Sequence, residues 1–235
     1  KYHKFICRRI EILDEGLGEG PTTASWILTT LNTLTRIGFK KAIQLSNNPQ
    51  SATNEEDQKF ITILDFFIDY NLMDTEAKQM YLFAAILLLH ILIKDGHLAD
   101  FSHDEVVALG TLIHRIMNSS RVNMFFSENM IEKIDYDEQY TCIYKDICSI
   151  GTFFYIGSTF INHSCVPNVQ WQCVKRVQTV RALKDIDAGQ EINGSYGVLK
   201  GEVPLEERQA EMLEFHGFKC MCEGCVEEMN QMEVE

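Results

Sequence analysis

Two hydrophobic periods divide the chain into a helical part and a strand-rich part. Up to about residue 134, apolar residues recur every three or four positions, the spacing of helices that bury one face. Pro21 and Thr75 are typical of helix starts, Gly38 is typical of a helix end, and Ser102 precedes Glu105 by three residues, as in a capping box. The pattern predicts four helices, with the apolar stripes Ile27, Leu31 and Leu34; Phe60, Ile63, Leu64, Phe67 and Ile68; Met80 to Ile93; and Val106, Leu109, Leu112, Ile113 and Ile116.

Beyond residue 134 the apolar period shortens toward two, which is typical of half-buried strands. A helical spacing returns at residues 205–215, before Gly217. The layout is therefore α+β, with a helical block beside a unit of small, irregular strands. The predicted strands are 140–144, 152–156, 169–173 and 176–183, with a turn at 175–176.

The composition is that of an acidic, folded protein. Of its 235 residues 46% are hydrophobic, and the formal net charge is -13, which allows one large domain or two small ones with a real core. The acidic balance argues against direct nucleic-acid binding through a broad basic surface, because phosphate binding needs clustered Lys and Arg. It suits basic partners such as lysine-rich protein tails, and it equally serves solubility alone.

The longest apolar run extends from Met80 to Ile93 and is broken only by His90. Its 14 residues fall short of the ~20 that cross a bilayer, so the run predicts a buried helix and no membrane association. No secretory segment is visible, which favours a reducing compartment where cysteines bind metal more often than they form disulfides.

Three cysteines near the end of the chain, Cys220, Cys222 and Cys225, fall within six residues. Zinc takes four tetrahedral ligands, usually thiolate or imidazole, so a fourth ligand has to come from elsewhere. Cys165 is the candidate, since it stands beside Pro167 in the segment Asn-His-Ser-Cys-Val-Pro-Asn. The cluster predicts a structural zinc site that fastens the tail to the core; the alternative is a set of free, half-buried cysteines.

Together these segments resemble the SET-and-MYND family of protein lysine methyltransferases, and within it the fourth-type members. The resemblance covers essentially the whole chain, although the helical block has few diagnostic positions. The matching residues are His3 and Cys7, Asn123 and Phe125, Asn162 to Asn168, Gly189 to Ile192, Ser195 to Gly197, Arg208, and Phe218 to Cys225.

The resemblance implies S-adenosylmethionine as the cofactor, bound by Asn162 and His163 through side-chain and backbone groups. Phe218 is expected to pack on the adenine, because a planar polar base needs an apolar face and hydrogen bonds at its edge. Tyr196 is the candidate catalytic residue, whose phenol orients the lysine amine in a narrow apolar channel. The alternative for Tyr196 is an aromatic side chain at a strand end with its hydroxyl in water.

Other positions follow from the same resemblance. Asn123 is assigned to the substrate pocket or groove, for which an exposed loop asparagine is the alternative. His216 stands where the family carries an aromatic residue, often tyrosine, that lines the lysine channel, so it is expected to alter substrate choice or weaken catalysis. His3 and Cys7 resemble the last two zinc ligands of a MYND finger whose other ligands would precede Lys1.

The implied organisation is the second half of a SET domain, with a C-terminal segment threaded through a loop as a pseudoknot. The N-terminal SET strands, which supply part of the cofactor site, would precede this sequence, so activity is expected of the full-length protein. The predicted regions are 1–10, the tail of a MYND finger; 11–135, a helical insertion; 136–200, the SET core; and 201–235, a zinc-bound post-SET region.

Three functions are consistent with these residues. The first is a lysine methyltransferase that acts on histone or non-histone proteins, in the cytoplasm and nucleus. The second is a catalytically silent scaffold that recruits transcriptional co-repressor partners, and the third is a plain zinc-binding interaction module. The presence of Asn162, His163, Tyr196 and Phe218 together favours the enzyme, whereas His216 favours the scaffold.

Overall fold

The computed structural model describes residues 22–66, 75–136, 141–174 and 177–232. The chain forms two compact units that divide between Asn123 and Met124. Predicted features at Pro21, Phe67, Ile68 and the 175–176 turn, together with His3 and Cys7, lie outside the described residues.

The first unit is helical, and its last helix packs against each of the other four that the described residues form. This central helix is buried along the predicted stripe from Leu109 to Ile116. The capping box is confirmed, because the Ser102 N–H donates to Glu105 Oε2 at 2.8 Å and the Glu105 N–H donates to Ser102 Oγ at 3.3 Å. The helices are α1 (Thr22–Ile37), α2 (Phe39–Asn47), α3 (Glu55–Asp65), α4 (Thr75–Lys94) and α5 (His103–Asn123), with a 3₁₀ turn at Pro49–Ser51.

Helix α4 is longer than the apolar run that predicts it. It has 20 residues, so by length and hydropathy alone it is sufficient to cross a bilayer. A stripe that includes Tyr81, Leu88 and Leu92 is buried, and α4 packs against α5, as a core helix does. The argument from run length is therefore wrong, while the absence of membrane association stays a prediction.

The helical block also ends earlier than predicted. Helix α5 ends at Asn123, and strand β1 (Phe125–Tyr136) pairs with β2 (Thr141–Phe153) in a long antiparallel hairpin. The prediction of helical structure to residue 135 is therefore wrong. Residues 141–144 and 152–153 are in a strand as predicted, but they belong to one long strand and not to two short ones. The spacing of Met130, Ile131 and Ile134 is compatible with a helix, and cross-strand pairing overrides it.

The remaining strands confirm the α+β layout. Strands β4 (Val169–Val174) and β5 (Val177–Ala182) form the predicted antiparallel pair, and β3 (Asn162–His163) lies parallel to β6 (Asn193–Gly194) beside β4. The predicted C-terminal helix is present as α6 (Leu205–Glu211), which continues into a π-helical turn at Met212–His216 and ends at Gly217, φ 77°. A further helix, α7 (Glu223–Met232), has no counterpart in the prediction.

Within the helical unit, Asp57 joins three segments through one buried carboxylate. It accepts hydrogen bonds from the Thr53 N–H at 3.0 Å and the Thr53 hydroxyl at 3.1 Å, and it forms an ion pair with Lys41 at 2.7 Å. Lys41, and then the Thr53 N–H, lower the pKa of Asp57. Because the folded state holds this carboxylate ionised, its contribution to stability is present above the unfolded pKa of about 3.9 and is lost as the pH falls through the folded pKa.

We therefore expect Asp57→Asn to lower the midpoint of thermal unfolding at pH 7, and the difference from the wild type to shrink toward pH 3. The control is Glu55→Gln in the same helical turn, since Glu55 forms an exposed pair with Lys59. Thermal melts followed by circular dichroism measure both. Equal changes for the two variants at pH 7 would contradict the role of Asp57.

Candidate active site and metal centre

Four cysteine sulfurs converge in the second unit. Cys165 follows β3, Cys220 and Cys222 precede α7, and Cys225 lies in its first turn. All four Sγ atoms lie within 4.8 Å of one another, and Cys165 Sγ is 3.8 Å from Cys220 Sγ and 3.6 Å from Cys225 Sγ. A tetrahedral ion with bonds of about 2.3 Å separates its sulfur ligands by about 3.8 Å, so this donor set fits a metal ion.

Backbone hydrogen bonds fix the positions of these cysteines. The Lys200 N–H donates to the Cys165 carbonyl at 2.9 Å, and the Cys165 N–H donates to Cys222 Sγ at 3.4 Å. The Gln209 amide on α6 accepts from the Cys220 N–H at 2.9 Å and donates to the Cys220 carbonyl at 2.8 Å. The tail loop is therefore held to α6 through its main chain and to the core through the sulfur of Cys222.

The electrostatics of the cluster favour a cation at its centre. Burial and the neighbouring thiols raise the pKa of Cys165 well above its usual range and that of Cys220 to about 11. Burial acts in the same direction on Cys222, but the N–H groups of Cys225 and Cys165 outweigh it and lower its pKa to about 6. Thiolates this close together repel one another, and a divalent cation at the centre would remove that repulsion.

His163 connects this cluster to Tyr196. Its ring is buried, and its Nδ1 accepts a hydrogen bond from the Tyr196 N–H at 3.0 Å. Burial, and to a lesser extent His216, lower the pKa of His163 to about 4, so the ring is neutral at pH 7. The ring proton therefore lies on Nε2, which is 3.3 Å from Cys165 Sγ and donates to it.

Tyr196 lies among aromatic rings with its hydroxyl bonded inside the protein. The hydroxyl donates to the Ile161 carbonyl at 2.7 Å, and burial raises the pKa of the phenol. Ring centroids lie 5.0 Å away at His216, 5.4 Å at His163 and 6.4 Å at Phe218. The alternative of a strand-end tyrosine with its hydroxyl in water does not describe this arrangement.

The proposed cofactor residues lie around the same point. The Asn162 amide donates to Glu191 Oε1 at 2.6 Å, which fixes its orientation. Both ring nitrogens of His163 have partners within the protein, so its backbone and ring face are the groups left for a cofactor. Phe218 packs on the cysteine cluster, 6.1 Å from the His163 ring. Binding of a cofactor by these residues stays a prediction.

The remaining predicted residues have different positions. His216 ends the π-helical turn, a local widening of the helix that is often found at functional sites, and it contacts the Tyr196 ring. Asn123 belongs to the helical unit, where it is buried and its amide donates to the Ser119 carbonyl at 2.8 Å. A role of Asn123 in a substrate groove stays a prediction, as does the MYND finger, since His3 and Cys7 lie outside the described residues.

Several residues that shape the site carry no sequence signal of that role. A Cβ on Gly194 would lie 2.1 Å from Cζ3 of Trp171, so only glycine lets this indole cover β6, with its ring 6.2 Å from Tyr196. The side chain of Asn168 accepts from the Asn193 N–H and donates to the Glu191 carbonyl, both at 2.8 Å. No spacing rule pairs these positions, because the strands that bring them together are two residues long.

Comparison with protein families matches residues 36–197 to the SET domain. This segment covers most of the chain, including α2 to α5, both strands of the long hairpin and Tyr196. The chain belongs to the SET-domain family. The cysteine-rich tail follows the matched segment, and its cluster is compatible with a metal-binding post-SET region.

Three relatives are each similar to about a third of this chain. The human protein-lysine N-methyltransferase SMYD4 is 36% identical over 74 residues, 32% of this chain and 9% of the relative. A SET and MYND domain-containing protein of Dictyostelium discoideum is 36% identical over 80 residues, 33% of this chain and 15% of the relative. The histone-lysine N-methyltransferase set5 of Schizosaccharomyces pombe is 44% identical over 77 residues, 32% of this chain and 23% of the relative. The assignment to the SET-and-MYND family fits these relatives, of whose length the chain spans less than a quarter.

The contact between Gly194 and Trp171 predicts a specific sensitivity of the SET domain. We expect Gly194→Ala to displace the indole, to lower stability by about 1–3 kcal/mol, and to change tryptophan fluorescence, because the added methyl group overpacks the site. Denaturant unfolding followed by fluorescence measures both effects. The control is Gly157→Ala, since Gly157 has φ -64° and open space around its Cα. An unfolding free energy that falls no further for Gly194→Ala than for this control would contradict the packing argument.

Proposed function

We propose that this chain is part of a protein-lysine N-methyltransferase that uses S-adenosylmethionine and acts on lysine side chains of histone or non-histone proteins. Membership of the SET-domain family supports methyl transfer, as do relatives named as protein-lysine and histone-lysine methyltransferases. The observation that carries the proposal is the Tyr196 hydroxyl, held by the Ile161 carbonyl among aromatic rings. The acidic balance of the chain suits a basic protein substrate.

The geometry around Tyr196 explains how a lysine amine can be oriented. Because the phenol O–H donates a hydrogen bond to the Ile161 carbonyl, its oxygen is left as an acceptor for an amine N–H. Burial raises the pKa of Tyr196 and keeps the phenol neutral at pH 7, so this donor and acceptor arrangement persists. An amine held in this way directs its lone pair toward one point, which is the alignment that an in-line displacement needs.

The rings around Tyr196 prepare the amine as a nucleophile. Lysine is charged at pH 7 and has to lose a proton before it can attack. His216, Phe218 and Trp171 replace water around the Tyr196 ring, and a less polar surrounding lowers the pKa of an ammonium group. S-adenosylmethionine, when bound, supplies an electrophilic methyl group on a positive sulfonium. Asn162, the backbone of His163 and the ring of Phe218 would hold it.

We also propose a structural zinc ion bound by Cys165, Cys220, Cys222 and Cys225. Four thiolates leave no open coordination position, so the ion would supply cohesion rather than catalysis. Its effect would be to hold the tail residues His216 and Phe218 beside Tyr196. The separations of the sulfurs and the chemistry of the donor set support this assignment.

His216 supports a second candidate function. An imidazole at this position lacks the phenol that the resemblance leads us to expect, which favours altered substrate choice or a catalytically silent scaffold. Such a scaffold would bind transcriptional co-repressor partners, and a cytoplasmic and nuclear location belongs to either function. The fixed Tyr196 hydroxyl favours the enzyme, because a binding surface has no need of it.

The zinc assignment predicts about one zinc ion per chain in the full-length protein at neutral pH, beyond any held by other regions. Cys220→Ser is expected to lose that ion. Cys173→Ser is the control, since Cys173 is a free, half-buried thiol of β4 outside the cluster. Elemental analysis counts the metal, and cobalt substitution reports thiolate ligands by their charge-transfer absorption. Equal metal content in the two variants would rule out the four-cysteine site.

The methyltransferase assignment predicts that Tyr196→Phe in the full-length protein lowers the methylation rate about a hundredfold, because the amine loses its hydrogen-bond acceptor. The affinity for S-adenosylmethionine is expected to stay within about twofold, since Tyr196 acts on the lysine. Transfer of a labelled methyl group to histones measures the rate, and calorimetry measures the affinity. Tyr155→Phe is the control, a second tyrosine of the same unit that lies near Phe125 and Phe153.

One result would contradict the role of Tyr196, and another would contradict the enzyme. Unchanged methylation by Tyr196→Phe would remove the proposed role of the phenol. The absence of heat on titration of folded full-length protein with S-adenosylmethionine, together with a retained zinc ion, would instead favour the scaffold.

A further inference from the structure

A charged side chain is buried beside the cysteine cluster. Arg208 on α6 is 1% exposed and is the largest of the fully buried side chains among the described residues. A guanidinium group cannot lose its charge in a protein, so burial requires partners for it. The proposed function gives Arg208 no role.

The guanidinium has two fixed partners and a spare donor. One terminal nitrogen donates to the Val203 carbonyl at 2.6 Å, and the other is paired with the Glu228 carboxylate. The Nε–H is buried and finds no acceptor within hydrogen-bond distance among the described residues. A buried donor of this kind is rare in a native structure and calls for a partner such as an ion or a charged group.

The position of Arg208 on its helix directs it toward the cysteines. Leu205, Arg208 and Met212 are spaced by three and four residues and so share one face of the helix. Leu205 and Met212 on that face pack with Cys165, Cys220 and Cys225 in one buried cluster. Burial opposes the charge of Arg208, yet Glu228, and then the sulfurs of Cys225 and Cys165, raise the pKa of its guanidinium.

The charge of a loaded cluster explains what this cation does. When four thiols bind a divalent ion they release four protons, which leaves a centre with a net charge of two minus. Among the described residues, backbone N–H groups of the cysteines and the ring of His163 donate to the sulfurs, and Arg208 is the cation buried beside them. The side chain of Glu228 is 26% exposed, so water screens its charge more than that of Arg208, whose side chain is 1% exposed.

We propose that Arg208 is the charge partner of the four-cysteine metal centre: its guanidinium is buried on the face of α6 that packs against the cysteine cluster, offsets the negative charge of the loaded centre and thereby raises the affinity for zinc. The inference rests on zinc at this site, and it goes beyond the proposed methyl transfer. Arg208 is a positioning residue, since it acts through the cysteines and not on a substrate. Glu228 lies three residues after the ligand Cys225 on α7, so the same ion pair joins that helix to α6.

The test is the zinc affinity of full-length variants, measured by competition with a chromophoric chelator at neutral pH. Arg208→Gln removes the charge and is expected to weaken zinc binding about tenfold to a hundredfold, the usual effect of losing a partner of a metal ligand. Arg208→Lys keeps the charge without the planar guanidinium. Its zinc affinity is expected to lie between that of Arg208→Gln and that of the wild type. Glu228→Gln, which leaves Arg208 less firmly held, is expected to weaken binding by less than Arg208→Gln.

The matched controls are the two partners of a neighbouring surface ion pair. Glu227 precedes Glu228 but pairs with Lys200 at 2.7 Å on the surface, so Glu227→Gln and Lys200→Met are expected to keep zinc affinity within about twofold of the wild type. A second measurement is the alkylation rate of the zinc-bound thiolates, which are more reactive when a cationic partner is removed. Faster alkylation in Arg208→Lys than in Glu227→Gln supports the proposal even where Arg208→Gln fails to fold.

Failure of the proposed role of Arg208 can be distinguished from failure of the proposed metal centre. A folded Arg208→Gln or Arg208→Lys protein with the zinc affinity and alkylation rate of the wild type would overturn the role of Arg208 and leave the metal centre intact. A wild-type protein whose four cysteines bind no zinc would overturn both. Neither result depends on methyltransferase activity, so loss of zinc affinity in an inactive protein would still support the charge partner.

Discussion

One sulfur from the middle of the chain meets three from its end, and the geometry of the candidate site depends on that contact. Cys165 is separated from Cys220 and Cys225 by 55 and 60 residues, and their sulfurs are 3.8 and 3.6 Å apart. Bringing such distant positions together lowers the conformational entropy of the chain. Two or three backbone hydrogen bonds offset that free-energy cost only in part. A metal ion bound by all four sulfurs would offset more of that cost, and it would hold Phe218 and His216 beside Tyr196.

His163 links the cysteine cluster to Tyr196, the candidate catalytic residue. Its Nδ1 accepts from the main chain of Tyr196 while its Nε2 donates to Cys165, so a single neutral ring sets the distance between them. The Tyr196 hydroxyl is fixed independently by Ile161. Two hydrogen bonds from different elements therefore hold one tyrosine at both ends, which is the rigidity that alignment of a substrate needs.

Local chemistry made part of this structure predictable from the sequence. Three features depend on residues that are close together in the sequence, and each is present: the Ser102 and Glu105 cap, the β4 and β5 pair, and the three tail cysteines. The long hairpin was missed because its first strand has the apolar spacing of a helix and is defined by its partner strand. The contact of Trp171 with Gly194 and the burial of Arg208 were missed because each depends on residues that are distant in sequence. A periodicity reports which side of an element is buried, not what lies against it.

The family alone does not decide between enzyme and scaffold, because function belongs to a site and not to a fold. An enzyme and a scaffold differ in one respect at such a site. An enzyme needs polar groups held in fixed positions, whereas a binding surface does not. A tyrosine with its hydroxyl bonded to a main-chain carbonyl, and a buried histidine whose two ring nitrogens both have partners, are such groups. In the proposed enzyme, His216 would change one wall of the lysine channel and leave the Tyr196 oxygen as an acceptor, so it would bear on which lysine enters before it bears on whether one can be oriented. The residues that remain favour an enzyme with altered selectivity over one that has lost its chemistry.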